Sequence, residues 1–475
     1  RTAKMDQNKD GFLDNPLAKQ INILNRYQYY DAEKGWVSFI NFKYMNDKKQ
    51  TGQLHFNPRT DKGTTRFWGS EINTERLDVS TKLGYVFKDM PYQSIGFQNA
   101  FTSHNQQSYF GLSQYKIKQN SYYSNLIFNS IINNTMHKFA TGLNFSLDNY
   151  QEFVSRKDWS RTDNSIGAFF EYTYDNDENF SLILGGRIDN HNRLGTFVTP
   201  RLHLRYNPWE KAVIRFSAGR GKRSANIFAE SQSLFASSRA FSILDTNGKI
   251  YGLNPEIAWN YGGSFTQSFL LFGKSADVSL DLYRTDFQNQ VVVDVMQSPQ
   301  QVLFYNLRGN SFANSFQIEF NYEMITNLRL RSAYKMYDVQ TDYLSGTFQK
   351  PLQAKKRFFG NLEYETSSFS NSQYWKFDFT YNWIGAQQLP NTQSNSNTDR
   401  LPKFSPAYSL MNTQITRVFS SLFEVYVGGE NIGNYTQSKA ILGAENPFDA
   451  TFDSSIVYAP IFGQMYYAGL RFKIK

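Results

Sequence analysis

The chain has no cysteine among its 475 residues, which removes disulfide scaffolds and thiolate metal centres from consideration. Long apolar runs are also missing. The longest, such as Phe269 to Phe272, fall far short of the roughly 20 residues a membrane helix needs, so a helical membrane protein is excluded. Its five histidines show no metal-ligand spacing, and neither an HExxH motif nor a nucleophile elbow is present. With no triad or metal motif to assemble, enzymatic activity is not expected. The formal net charge is +9, from 50 Lys and Arg against 41 Asp and Glu, but the basic residues are scattered among aromatics without a long block. Nucleic acid is therefore not an expected partner.

What the chain does have is aromatic residues, 17% of the total with 42 Phe and 31 Tyr, and a recurring two-residue alternation. In the last nine residues Ala468, Leu470, Phe472 and Ile474 occupy one face while Tyr467, Gly469, Arg471 and Lys473 occupy the other. The same pattern sets Ala276, Val278, Leu280 and Leu282 against Asp277, Ser279 and Asp281. Further along, Trp375, Phe377 and Phe379 stand opposite Lys376, Asp378 and Thr380, and Phe423, Val425 and Val427 opposite Glu424, Tyr426 and Gly428. Each such segment is a strand with one greasy and one wet side. Lipid is the cover that suits so many of them at once, and the fold class that follows is all-β, a transmembrane antiparallel β-barrel. A mean hydropathy of −0.54 does not oppose this, because half of every barrel strand is polar.

Turn signals divide the chain into about nineteen strands of roughly 9–15 residues. Short connections are expected at 31–35, 88–91, 133–135, 175–179, 208–211, 272–275, 325–327, 367–371 and 419–421, and long polar loops at 46–73, 220–256, 385–405 and 431–462. Short turns belong in the periplasm and long loops outside, so the first strand runs inward. The last strand also ends inside, which makes the count odd. Bacterial single-chain barrels have even counts, so the expectation is a barrel of about 22 strands whose first three, with any plug, are encoded upstream of Arg1. The last strand would then lie at an open edge.

Ordered stretches along residues 1–475 resemble the barrel domain of TonB-dependent outer-membrane receptors, particularly those of Bacteroidetes-type bacteria. They are Gly185 to Asp189, Thr199 to Tyr206, Arg215 to Arg223, Leu253 to Glu256 with Asn260 to Gly263, Asp286 to Val291, and Gly429 to Ile432. The resemblance implies a receptor in the Gram-negative outer membrane that imports a scarce ligand, such as a ferric siderophore or metal chelate. It also implies a plug pulled by a TonB-type energy-coupling protein. A different class of function, a receptor-like barrel that scaffolds an envelope complex with a surface lipoprotein, is the alternative, and upstream plug sequence separates the two. The C-terminal stretch is similar to the signal read by the barrel-assembly machinery, carried here by Gly469, Phe472 and Ile474.

Two sets of residues are candidate sites. Asp6, Asn8, Asp10, Phe12 and Asp14 follow the DxNxDG pattern of a calcium loop, with oxygen donors at alternate positions and a turn at Gly11; no other cofactor is expected. The twelfth position, where a bidentate Glu is usual, holds Leu17, and an Asp-rich turn is the competing reading. Arg220, Lys222 and Arg223, with Lys355, Lys356 and Arg357, mark strand ends on the outer side. They are expected either to line a mouth that attracts an anionic ligand or to face lipopolysaccharide phosphates. Pro200, Arg201 and Asn254 to Glu256 are expected to be wall architecture.

Overall fold

The computed structural model describes residues 4–367 and 373–474. One sheet of 21 strands dominates it. Two of these, Lys157–Asp158 and Gly346–Gln349, are short additions at the outer rim, and the remaining 19 make an antiparallel wall from Leu17–Asp31 to Met465–Phe472. Among the described residues no helix is long and apolar enough to cross a membrane.

Alternation in the sequence becomes alternation across the wall. Leu282 is 52% exposed, Val427 51% and Leu470 69%, values suited to side chains that touch lipid rather than other protein. Rows facing the other way carry polar contacts between strands, such as Asn361 Nδ2 donating to Asp378 Oδ2 at 3.1 Å. Inner connections are short, as expected. The link between Glu256–Leu271 and Lys274–Asn289 is only Phe272 and Gly273, at φ +49° and +77°. Positive φ at both central residues lets a two-residue hairpin follow the twist of its strands. The turn expected at 367–371 lies mostly outside the described residues, as does Lys475.

On the outer side the expected alternation of lengths is not strict. The strands Ser94–Phe110 and Ser113–Ile132 are joined by two residues, and Phe180–His191 and Gly195–Tyr206 by three. The first pair compensates with length, as does the strand that follows it. Ser94–Phe110, Ser113–Ile132 and Asn134–Val154 have 17, 20 and 21 residues, well beyond the roughly 10 a tilted strand needs to cross a bilayer, so their outer portions stand beyond the lipid. For the same reason the loop expected at 46–73 shrinks to 53–68, because the flanking strands run to Gly52 and start at Gly69.

Each end of the wall has a single ladder. Leu17–Asp31 pairs with Trp36–Gly52, and Met465–Phe472 pairs with Phe423–Glu430. No ladder joins the two ends among the described residues. The final strand is thus an edge, as expected. Gly469 lies opposite Tyr426 in this last ladder, and a Cβ at that position would strike the Tyr426 ring and hydroxyl. Phe472 and Ile474 point away from protein, 62% and 89% exposed.

Candidate functional site

A barrel wall with lipid on one side and a lumen on the other gives its strands nowhere to bring two apolar faces together. The dry core of this molecule lies instead in its outer loops. The largest buried cluster unites Phe12, Trp68, Tyr115, Phe228, Phe235 and Phe452, with many neighbours; these six come from the N-terminal segment, three outer connections and one long strand. Loop 224–255, expected to be a polar connection, supplies Ile227, Phe228, Phe235, Ile250 and Leu253 to that core. Short apolar runs such as Val291 to Val293 and Val302 to Tyr305 are the sequence signal of this cap. They form a small sheet: Gln301–Asn306 pairs antiparallel with Val291–Asp294 and parallel with Ala240–Ile243.

Charged groups fasten the cap to itself and to the wall. Arg239 Nε donates to Asp453 Oδ2, and its Nη1 donates to the Ser298 carbonyl at 2.9 Å. A second buried network centres on Glu152, whose Oε1 accepts Tyr115 OH at 3.0 Å and whose Oε2 accepts the hydroxyl of Tyr251. Arg161 Nη1 donates to Tyr251 OH at 2.8 Å, and its Nε to Asp163 at 3.0 Å. Nη2 of the same guanidinium reaches Asn226. Burial pushes the Glu152 carboxyl above its ordinary range, against the lowering effect of Tyr251 and Arg161. Tyr251 and Asn226 come from loop 224–255 and the others from the wall, so the network sets where that loop sits.

Arg161 and Asp163 belong to a repeated Arg-x-Asp pattern that the sequence reading did not single out. Arg76 and Asp78 meet at 2.9 Å, Arg187 and Asp189 at 2.7 Å, and Arg284 and Asp286 at 2.6 Å. Two-residue spacing in a strand puts both side chains on one face. In the first three pairs that row is opposite the lipid-facing Leu83, Ile166 and Ile188, and so lines the lumen.

The six basic residues at the outer strand ends do not share one face. Arg220 and Lys222 share a row with the outward-facing Phe216, beyond the point where apolar residues stop. Lys222 Nζ donates to the Leu194 carbonyl at 2.8 Å. Arg223 is held by Glu256 and Glu230 at 2.6 and 2.9 Å. Lys355 pairs with Asp338 at 2.8 Å, Lys356 follows the outward row of Phe358 and Leu362, and Arg357 takes the opposite row. Adjacent residues in a strand alternate faces, which is why runs of basic residues split in this way. Asn254 to Glu256 is structural, with Glu256 also accepting the Val291 N–H at 3.2 Å and Pro255 accepting Asn289 Nδ2. Arg201 reaches across the intervening strand Phe180–His191 to pair with Glu171.

The N-terminal loop is tightly folded. Asp6 Oδ1 and Oδ2 accept the N–H groups of Asp10 (3.1 Å) and Gly11 (3.0 Å), and Asp10 Oδ1 accepts that of Phe12 (2.9 Å). Asn8 Nδ2 donates to Asp10 Oδ2 at 2.8 Å, and Gln7 N–H to Asp14 Oδ2 at 2.7 Å. Phe12 sits 6.1 Å from Trp68 and 6.0 Å from Phe452, ring to ring, placing this loop within the cap.

The model of the family described as TonB dependent receptor-like, beta-barrel, matches residues 6–432. The chain belongs to this family. It is an outer-membrane receptor barrel, and solved structures agree on the fold. The FpvAI–pyocin S2 complex superposes with a TM-score of 0.70 at 11% identity, over 98% of this chain and 64% of that one. The siderophore receptor PiuA from Acinetobacter baumannii gives 0.66 at 13% identity, over 99% and 76%. The copper transporter OprC gives 0.65 at 12%, over 98% and 77%. The receptor barrel thus spans less than two thirds of the first of these chains. No curated protein matches it significantly.

Proposed function

We propose that this receptor barrel is the wall and outer cap of an importer that takes a scarce ligand, such as a ferric siderophore or another metal chelate, across the outer membrane. A TonB-type periplasmic protein would supply the energy. The observation that carries the reading is the family match over residues 6–432, and the outer loops, folded on a shared core at the end that meets the medium, suit capture better than free diffusion. Solved proteins of this fold are named for siderophores and for copper, which makes chelated metals the first ligands to try.

The test is uptake of radiolabelled ferric chelates by cells that make or lack the protein, with and without a protonophore. Uptake that depends both on the protein and on the energised state is expected. Uptake that persists without energy marks a diffusion pore, and equal uptake in both strains ends the transport reading.

A further inference from the structure

The 6–14 loop combines two features that an ordinary Asp-rich turn does not need. Three carboxylates, Asp6, Asp10 and Asp14, are brought together with no salt-bridge partner for any of them among the described residues. One of the three is also buried and unsatisfied. Asp14 is only 7% exposed, and its Oδ1 accepts no hydrogen bond, while Oδ2 is held against the loop by the Gln7 N–H. A buried, unpartnered carboxylate oxygen is costly unless something positive meets it.

We propose that this loop is a calcium site, with side-chain oxygens of Asp6, Asn8, Asp10 and Asp14 and the main-chain carbonyl of Phe12 as ligands. Alternating oxygen donors at the first, third, fifth, seventh and ninth positions, turning at Gly11 (φ +84°), suit a large hard cation that tolerates irregular geometry. No group of three acidic or histidine side chains among the described residues already stands at metal-holding distances. Binding therefore requires a local rearrangement, in which Asn8 turns its amide nitrogen away from Asp10 Oδ2 and Asp14 Oδ1 moves in. Such movement is within reach of a loop whose ligands are held mostly by single hydrogen bonds to neighbouring N–H groups.

The position gives the ion a purpose. Leu13 N–H donates to the Gly52 carbonyl, Gly463 N–H to Gln7 Oε1, and the Phe12 ring packs between Trp68 and Phe452. A cation that closes the loop would fasten the start of the first strand to the 53–68 and 431–464 loops, making the cap calcium-dependent.

The experiment uses the full chain in calcium-free detergent micelles, titrated with calcium chloride by calorimetry. Trypsin cleavage after Lys4 and Lys9, both within this segment, is the second readout. One calcium per chain and protection of Lys9 are expected. Asp14→Asn is the decisive variant, because without a cation the loss of a buried, repelled charge should leave the loop as tight or tighter. With the site, calcium binding should weaken roughly tenfold or more and protection should fade, while heat-modifiable gel migration shows the barrel intact. Absence of saturable binding, or identical binding by parent and the Asp10→Asn, Asp14→Asn double variant, would overturn the proposal. Should the variants fail to fold, equal cleavage of the parent in calcium and in chelator overturns it by itself.

Discussion

Arg239 and Asp453 are 214 residues apart in sequence and meet at 2.8 Å, with side chains only 1% and 5% exposed. They tie loop 224–255 to loop 431–464, and the same segments are joined by the Ser237–Asp453 bridge and by Ser454 donating to the Ala236 carbonyl. A buried ion pair contributes little over a well-packed apolar pair, but breaking one leaves a charge with no partner. Arg239→Ala is accordingly expected to destabilise the cap by about 3–5 kcal/mol while leaving the wall folded. Hydrogen exchange should rise in both loops and stay low in the wall strands. A uniform rise over the whole chain, or none, would contradict this assignment.

Acid should loosen a different seam. Asp399 Oδ1 accepts Lys439 Nζ at 2.8 Å and the Gly443 N–H at 3.2 Å, linking loop 385–407 to loop 431–464. Burial alone would raise this carboxyl, but the hydrogen bonds from Lys439 and Gly443 outweigh it and hold it below its ordinary value. A depressed folded-state pKa means that the stabilisation is present above the unfolded value of about 4 and is lost as pH falls through the folded one. The contact should hold from pH 7 to 5 and weaken below about 4. Hydrogen exchange at Gly443, corrected for intrinsic rate, checks this, and an Asp399→Asn chain should show no such acid step. A step that survives the substitution assigns it to another group.

The wall was readable because lipid imposes one rule on every strand: the alternation at Trp375, Phe377 and Phe379 needs no knowledge of the neighbours to be interpreted. The cap was not readable in the same way. Phe228, Phe304 and Phe452 pack into one core, but they come from loops far apart in sequence, and no local period links them. Short apolar runs inside nominally polar loops were the available clue. The basic residues at the strand ends split for a simpler reason, since Lys356 and Arg357 are adjacent and a strand sends adjacent side chains to opposite faces. Arg187 and Asp189, two apart, could have been paired from the sequence by that same rule.

Phe377 and Lys376 turn this rule into a measurement. Phe377 is 40% exposed on the lipid row, whereas Lys376 faces the other way and pairs with Glu365 at 3.3 Å. Phe377→Arg should cost about 2–4 kcal/mol if it lies near the bilayer midplane. Lys376→Gln removes a partly exposed ion pair and should cost no more than about 1 kcal/mol. Urea titration of the barrel refolded into lipid vesicles separates the two, and comparable losses would mean that the faces have been assigned wrongly.

The placement of loop 224–255 on the wall leads to the last expectation. Tyr251 OH bridges Arg161 and Glu152, and Glu152 is otherwise held by Tyr115 and by Arg161 Nη1 at 3.4 Å. Tyr251→Phe keeps the ring that packs against Trp159 and Phe228 at 5.5 Å and removes only the hydroxyl. Because that hydroxyl bonds a carboxylate and a guanidinium, its loss should cost about 1–3 kcal/mol. Glu152→Ala should cost more, since Arg161 would keep Asp163 but lose both Glu152 and the Tyr251 oxygen that Glu152 orients. The two substitutions act on one network, so their effects should fall short of additivity in the double variant. Protease protection of residues 224–255 supplies the readout, with intact heat-modifiable migration as the control for the wall. Fully additive effects would show that Tyr251 and Glu152 hold the loop independently, and unchanged protection in both single variants would show that the apolar core alone seats it.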